Sequence, residues 1–231
     1  MVLTLHGTRM NPSERAILLT LHALELDYEF RQVDMPAGYD QLPTVPTLED
    51  GDAAIWESHA IIGYLVQKYA KDGDDALYPR EPLQRAIVDQ RLHYESGVLF
   101  VAFKELQHLL FTENITELPK DLIDQLHETY AVLEQFLVDQ AYLAGQQLTI
   151  ADFSIVSTLS SLHLSYAPID PTEYPNLSAW LARISSLPYY EEANLQGARL
   201  LADQVRAKLP KQFDKLWQKA FADIKSGAVK L

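Results

Sequence analysis

Apolar patterning changes character once along this chain, near residue 76, and that change limits the folds open to it. Before it, strand and helix signals alternate. Val2 to Leu5 is a short β-branched and apolar run that suits a buried strand. Ile17, Leu18, Leu21 and Leu24 recur at helical spacing, and Tyr28, Phe30 and Val33 mark a second strand. A loop over 34–44 carries Pro36, Gly38 and Pro43. The runs 45–49 and 53–56 then flank Asp50-Gly51, a hairpin signal. Ile61, Ile62, Leu65, Val66 and Tyr69 fall on one helix face. The order is β-α-β, loop, β-β-α. The polar, turn-rich stretch 71–80, KDGDDALYPR, reads as a linker. Beyond it every pattern is helical. One long helix is expected over 83–111, a second through Leu122, Leu126, Tyr130, Leu133 and Leu137, and a third over 149–164. Leu177, Trp180, Leu181 and Ile184 mark a fourth, and 189–208 a fifth. The expectation is an α+β domain over 1–75 followed by an all-α helical bundle over 83–231, with no internal repeat.

Charge and composition then exclude chemistry. The chain of 231 residues has a net charge of −13, which repels phosphate backbones and argues against nucleic acid as a partner. It has no cysteine, so disulfide scaffolds, thiolate-ligated zinc and cysteine nucleophiles are all absent. Its seven histidines show no metal-ligand spacing, and no metal site is expected. No run approaches the ~20 apolar residues of a membrane span, and MVLTLHG lacks the basic and apolar regions of an export signal. A cytoplasmic protein is expected.

Four short motifs carry possible chemistry. In RMNPSERA, Asn11 suits an N-cap, Pro12 the first helical position and Glu14 the third, so the stretch is a strong helix start by itself. The Asn11 amide is also a hydrogen-bond donor. In TVPT, Pro46 stands at a strand entrance, and spacing leaves both a cis and a trans bond open. In WESHAI, Glu57 and Ser58 lie at a strand-helix junction. A Ser58 cap with a dipole-matched Glu is one reading. The other is an anion site at the helix N-terminus beside a carboxylate, able to hold both charges of an α-amino acid. LTIADF places Thr149 and Asp152 at capping-box spacing, a structural device.

Taken together, the βαβ-ββα half, TVP, WESHAI, EPLQRAIVDQRL and LTIADFSIVSTLSSLHLSY resemble a cytosolic glutathione transferase, most closely the insect epsilon class, with delta and theta features. The resemblance covers about residues 2–205. It implies a thioredoxin-like N-terminal domain with a cis Pro46, a helical C-terminal domain, a homodimer and cytoplasmic location. It also implies reduced glutathione as co-substrate with no resident cofactor, and conjugation to hydrophobic electrophiles in detoxification. On that pattern Val45 and Pro46 meet the cysteinyl part of glutathione, Glu57 and Ser58 its γ-glutamyl end, and His59 adds positive potential.

Two departures stand out. The family's S-P-P-x-R-A is here N-P-S-E-R-A, so Asn11 occupies the position of the thiolate-stabilising serine and Ser13 is the nearest hydroxyl. The segment MPAGYDQLPTVP is several residues short, which leaves the second helix shortened or missing and puts Pro43 where the family has a glutathione-contacting histidine. These departures keep an alternative open, a non-catalytic carrier of apolar ligands. The acceptor pocket is expected between the domains, from Arg9 and Met10 ahead of the first helix and Phe103, Lys104, Gln107, His108 and Phe111 on the long one. After Pro210, Phe213, Leu216, Trp217, Phe221 and Ile224 predict an extra, basic C-terminal helix.

Overall fold

The computed structural model describes residues 2–33, 45–71 and 73–209. Strands β1 (Leu3–Gly7), β2 (Tyr28–Gln32), β3 (Thr47–Asp50) and β4 (Ala53–Trp56) form one sheet in the order β2-β1-β3-β4. β1 runs parallel to β2 and antiparallel to β3, and β3 and β4 make the hairpin expected at Asp50-Gly51. The parallel pair needs a crossover, which is α1 (Pro12–Ala23). Helix α2 (Ser58–Tyr69) follows β4 and packs on α1. The buried faces of β1, α1 and α2 meet through Leu3, Leu5, Ile17, Leu21, Ile61 and Leu65. This is the mixed-sheet, thioredoxin-like domain the resemblance implies. The shortened segment up to residue 44, with Pro43, and the residues expected to form an extra C-terminal helix lie outside the described residues.

From Pro82 onward all named elements are helical: α3 (Pro82–Tyr94), α4 (Phe100–Phe111), α5 (Lys120–Phe136), α6 (Ile150–Ser165), α7 (Pro175–Ser185) and α8 (Gln196–Lys208). The expected single helix over 83–111 is interrupted by a π-helical turn, Glu95–Leu99. Gly97 removes a side chain there, and the Ser96 hydroxyl donates back to the Leu92 carbonyl at 3.2 Å, the kind of competition that opens a helical ladder. A second π turn, Glu191–Leu195, precedes α8 inside the expected 189–208 helix.

Helix α6 is the axle of the molecule. Nearly every residue of it is buried, and it packs on α1, α3 and α8. Such a helix is apolar or small all round, and its serines let neighbouring backbones approach. Thr149 and Asp152 form the expected capping box at its start. Asp152 does more: its Oδ1 accepts from the Leu143 N–H and from the Trp180 indole N–H, both at 2.9 Å. The fully buried carboxyl thus ties α6 to α7 and to the turn before it, although burial pushes its pKa above the usual carboxylate value.

The two domains are joined by a buried cation. Arg15 of α1 is wholly inaccessible and crosses to the C-terminal helices. Its guanidinium donates to Asn194 Oδ1 at 2.7 Å, to the Ser157 carbonyl at 2.9 Å, to Ser160 Oγ at 3.1 Å and to the Ser161 hydroxyl. Burial lowers its pKa to about 10, which still leaves it charged at neutral pH.

Candidate active site

Register brings three of the sequence motifs to one end of the sheet. His6 of β1 lies opposite Thr47 of β3, and Thr47 lies opposite Trp56 of β4. The end of β1, the start of β3 and the end of β4 therefore line up. Loop 8–11 leaves the sheet there, Val45-Pro46 enters there, and Glu57-Ser58 leaves there.

In the first segment, Asn11 adopts extended backbone angles and caps α1, its Oδ1 accepting the Ser13 N–H at 3.1 Å. The cap fixes the amide's orientation. The Ser13 N–H needs an acceptor, so Oδ1 turns toward the helix and the Nδ2 donor turns away from it. Nδ2 has no hydrogen-bond partner among the described residues. Ser13 sits inside the first turn, half-buried. Glu14, at the third helical position, does not bond back to the Asn11 N–H. Glu14 reaches past Asn11 and accepts the Thr8 N–H at 3.1 Å, while the Asn11 N–H donates to the Thr8 carbonyl at 3.0 Å. Helix α8 presses on the same loop: a Cβ on Gly197 would stand 1.9 Å from the Arg9 carbonyl oxygen, so only glycine permits this approach.

In the second segment, the Val45-Pro46 bond is cis. The β3 ladder begins two residues later, at Thr47, which leaves the Val45 peptide groups outside it. In the third segment, Ser58 is the first helical residue of α2 and not its cap. The capping position is Glu57, with φ 68° and no side-chain bond to the helix. Among the described residues no side chain caps the first N–H groups of α2, and a helix N-terminus in that state can take an anion. A non-glycine residue at that φ is strained, and such strain collects at ligand sites. The Glu57 carboxylate is exposed beside it.

His59 departs from expectation. Its Nε2 lies 2.7 Å from Ser154 Oγ and 3.1 Å from Glu95 Oε2. The ring is directed into the domain interface, not toward the anion site. The reason is Glu95, a carboxylate almost fully buried on the first π turn, which needs charged or polar partners. Thr158 supplies another at 2.5 Å. Sequence reading missed Glu95, Ser154 and Thr158, because nothing local links His59 of α2 to the first π turn and to α6.

The N-terminal domain model of the glutathione S-transferases matches residues 1–67, and their C-terminal domain model matches residues 85–183. Glutathione S-transferase 1 of Manduca sexta is 39% identical over 220 residues, 90% of this chain and 100% of its own length. This chain belongs to the glutathione S-transferase family. An epsilon-class glutathione S-transferase from the housefly, Musca domestica, superimposes with a TM-score of 0.85 at 46% identity, covering 89% of this chain and 98% of that one. A glutathione transferase homologue from Drosophila mojavensis, with bound glutathione, gives 0.84 at 43% identity over 90% and 98% of the two chains.

In this transferase the residues expected to line the acceptor pocket divide. The Arg9 guanidinium stacks over the Phe30 ring of β2, 4.8 Å from its centroid, and Met10 is half-buried against the core. On α4, Phe103 is buried beside Phe100, their centroids 5.8 Å apart. The Gln107 amide donates to the Tyr166 hydroxyl at 2.6 Å. Lys104 is exposed, His108 is exposed and lies 3.4 Å from Glu113, and Phe111 is half-buried. Helical spacing alone put these five on neighbouring faces; packing against α5 and α6 decided which way each face turned.

Proposed function

We propose that this glutathione transferase conjugates reduced glutathione to hydrophobic electrophiles. The observation that supports this reading is the strand register, which brings loop 8–11 with Asn11, the cis Val45-Pro46 bond and the Glu57-Ser58 junction to one end of the sheet. Val45 pairs with the cysteinyl backbone. The α2 N–H groups and Ser58 take the γ-glutamyl carboxylate, and Glu57 its ammonium. Asn11 Nδ2 donates to the sulfur. The thiol gives its proton to water, the thiolate attacks the electrophilic carbon, and the leaving group departs with its bonding pair. No electron is exchanged with a cofactor, so glutathione is a co-substrate and no metal is required.

The magnitudes are adequate. Lowering a thiol pKa by two units takes about 2.7 kcal/mol. One charge-assisted hydrogen bond contributes about 1.5–3 kcal/mol, and the N-terminus of α1 adds its dipole.

The enzyme acts as a cytoplasmic homodimer on this reading. Exposed Trp56 on β4, Leu83 on α3, Val98 on the π turn and Val101 on α4 supply apolar surface for a second copy. Conjugation of glutathione to a chloronitroarene, followed by absorbance, together with glutathione calorimetry, tests the proposal. Binding with turnover is expected. Binding without turnover would make the chain a carrier, and loss of binding in neither Glu57→Ala nor Ser58→Ala would remove the assigned γ-glutamyl site.

A further inference from the structure

Glu14 is the least expected side chain near this site. It stands at the variable position of the N-P-S-E-R-A stretch, yet its surface is wholly buried. It lies flat against the end of β1: a Cβ on Gly7 would fall 2.3 Å from Glu14 Cγ, so a side chain at residue 7 would displace it. One carboxyl oxygen accepts the Thr8 N–H at 3.1 Å. The other, Oε2, is buried with no hydrogen-bond partner among the described residues. The Thr8 peptide continues the chain of contacts, because its carbonyl accepts the Asn11 N–H at 3.0 Å.

We propose that Glu14 is a positioning residue for conjugation: wedged between Gly7 and the first turn of α1, it holds the Thr8 peptide and, through it, the turn that presents Asn11 to the glutathione sulfur. This rests on Asn11 being the thiolate donor.

The wedge works as a neutral acid. A buried carboxylate with one bare oxygen is costly; protonation removes the charge while the other oxygen still accepts the Thr8 N–H. Burial raises its pKa to about 8, opposed by the Thr8 N–H, its own backbone N–H and Arg15. Arg15 is the charged group acting on it, and its guanidinium is turned away into the C-terminal serines. The loop after β1 offers Glu14 the Thr8 N–H; no ionised side chain of α2, α6, α8 or the second π turn acts on it among the described residues. Above that pKa the seat holds a buried negative charge beside the turn. The charge loosens the turn and also opposes a thiolate nearby.

The test compares Glu14→Gln, Glu14→Leu and Asn11→Ala in the full chain, with turnover and KM for glutathione measured across pH. Glu14→Gln keeps an acceptor for Thr8 and cannot ionise. It should retain turnover at neutral pH and lack the fall in activity expected of the parent as pH rises through about 8. Glu14→Leu fills the seat without holding Thr8. It should lower kcat on the order of tenfold or more, since small misplacements of a reacting group are costly, and leave KM for glutathione nearly unchanged. If Glu14→Leu and Glu14→Gln both match the parent in kcat and pH profile while Asn11→Ala is impaired, Glu14 has no positioning role and the Asn11 assignment stands. If Asn11→Ala is fully active, both fall. Should Glu14→Leu not fold, the Glu14→Gln profile decides alone, and a retained alkaline fall overturns the proposal.

Discussion

At the scale of single residues, the proposed function turns on which atom of RMNPSERA would meet the glutathione sulfur. Asn11 lies outside α1 with a spare donor, whereas the Ser13 N–H is already taken by the Asn11 cap and Ser13 itself belongs to the first turn. Asn11→Ser should keep the cap, because serine and asparagine cap about equally well, and should preserve or raise turnover. Asn11→Ala should cost about 1 kcal/mol of stability, lower turnover, and raise the pKa of bound glutathione, read from thiolate absorbance. Ser13→Ala should change little in either. An inactive Ser13→Ala beside an active Asn11→Ala would move the thiolate site by two residues. The cap was legible in the sequence, because Asn-Pro-x-Glu is a local helix-start signal. The role of Glu14 was not. At the third helical position it matches the capping box, and only the close approach of Gly7 shows that its carboxyl passes Asn11 and stops at Thr8.

At the scale of elements, α6 shows how one buried carboxyl organises helix ends. Asp152 accepts from two backbone N–H groups, the Trp180 indole and the Thr149 hydroxyl. Asp152→Ala would leave three buried N–H donors unpaired, each worth about 1–3 kcal/mol when stranded. We expect a loss of at least ~3 kcal/mol, measured by urea unfolding. A loss below ~1 kcal/mol would mean that the turn before α6 holds itself. The capping box itself was readable from Thr149 and Asp152. Its extension to Leu143 and Trp180 was not, because those partners come from other elements.

At the scale of the whole molecule, the two domains share their burial. Packing between α1 and α6, with Arg15 held by Ser157, Ser160, Ser161 and Asn194, leaves neither domain a finished surface of its own. The chain should therefore melt in a single transition, with near- and far-ultraviolet circular dichroism coinciding. Arg15→Ala strands several buried acceptors and should lower the melting temperature sharply or split the transition. Two separate transitions in the parent chain would show that the Arg15 contacts do not couple the domains.

What the sequence determined by itself were the features written in local spacing. Strand and helix periodicity gave the mixed-then-helical order. Asp50-Gly51 gave the hairpin, Asn11-Pro12 the start of α1, and Thr149 with Asp152 the start of α6. These are interactions over a few residues, and side-chain type at fixed spacing is enough to specify them. The tertiary structure decided what lies across long separations. It put Glu57, not Ser58, at the capping position of α2 and turned His59 to the buried Glu95. It placed a π turn in the long helix and split the α4 residues among core, Tyr166 and solvent. In each case a buried group had to find a partner from a distant element, and which partner arrives is set by packing, not by neighbours in the chain.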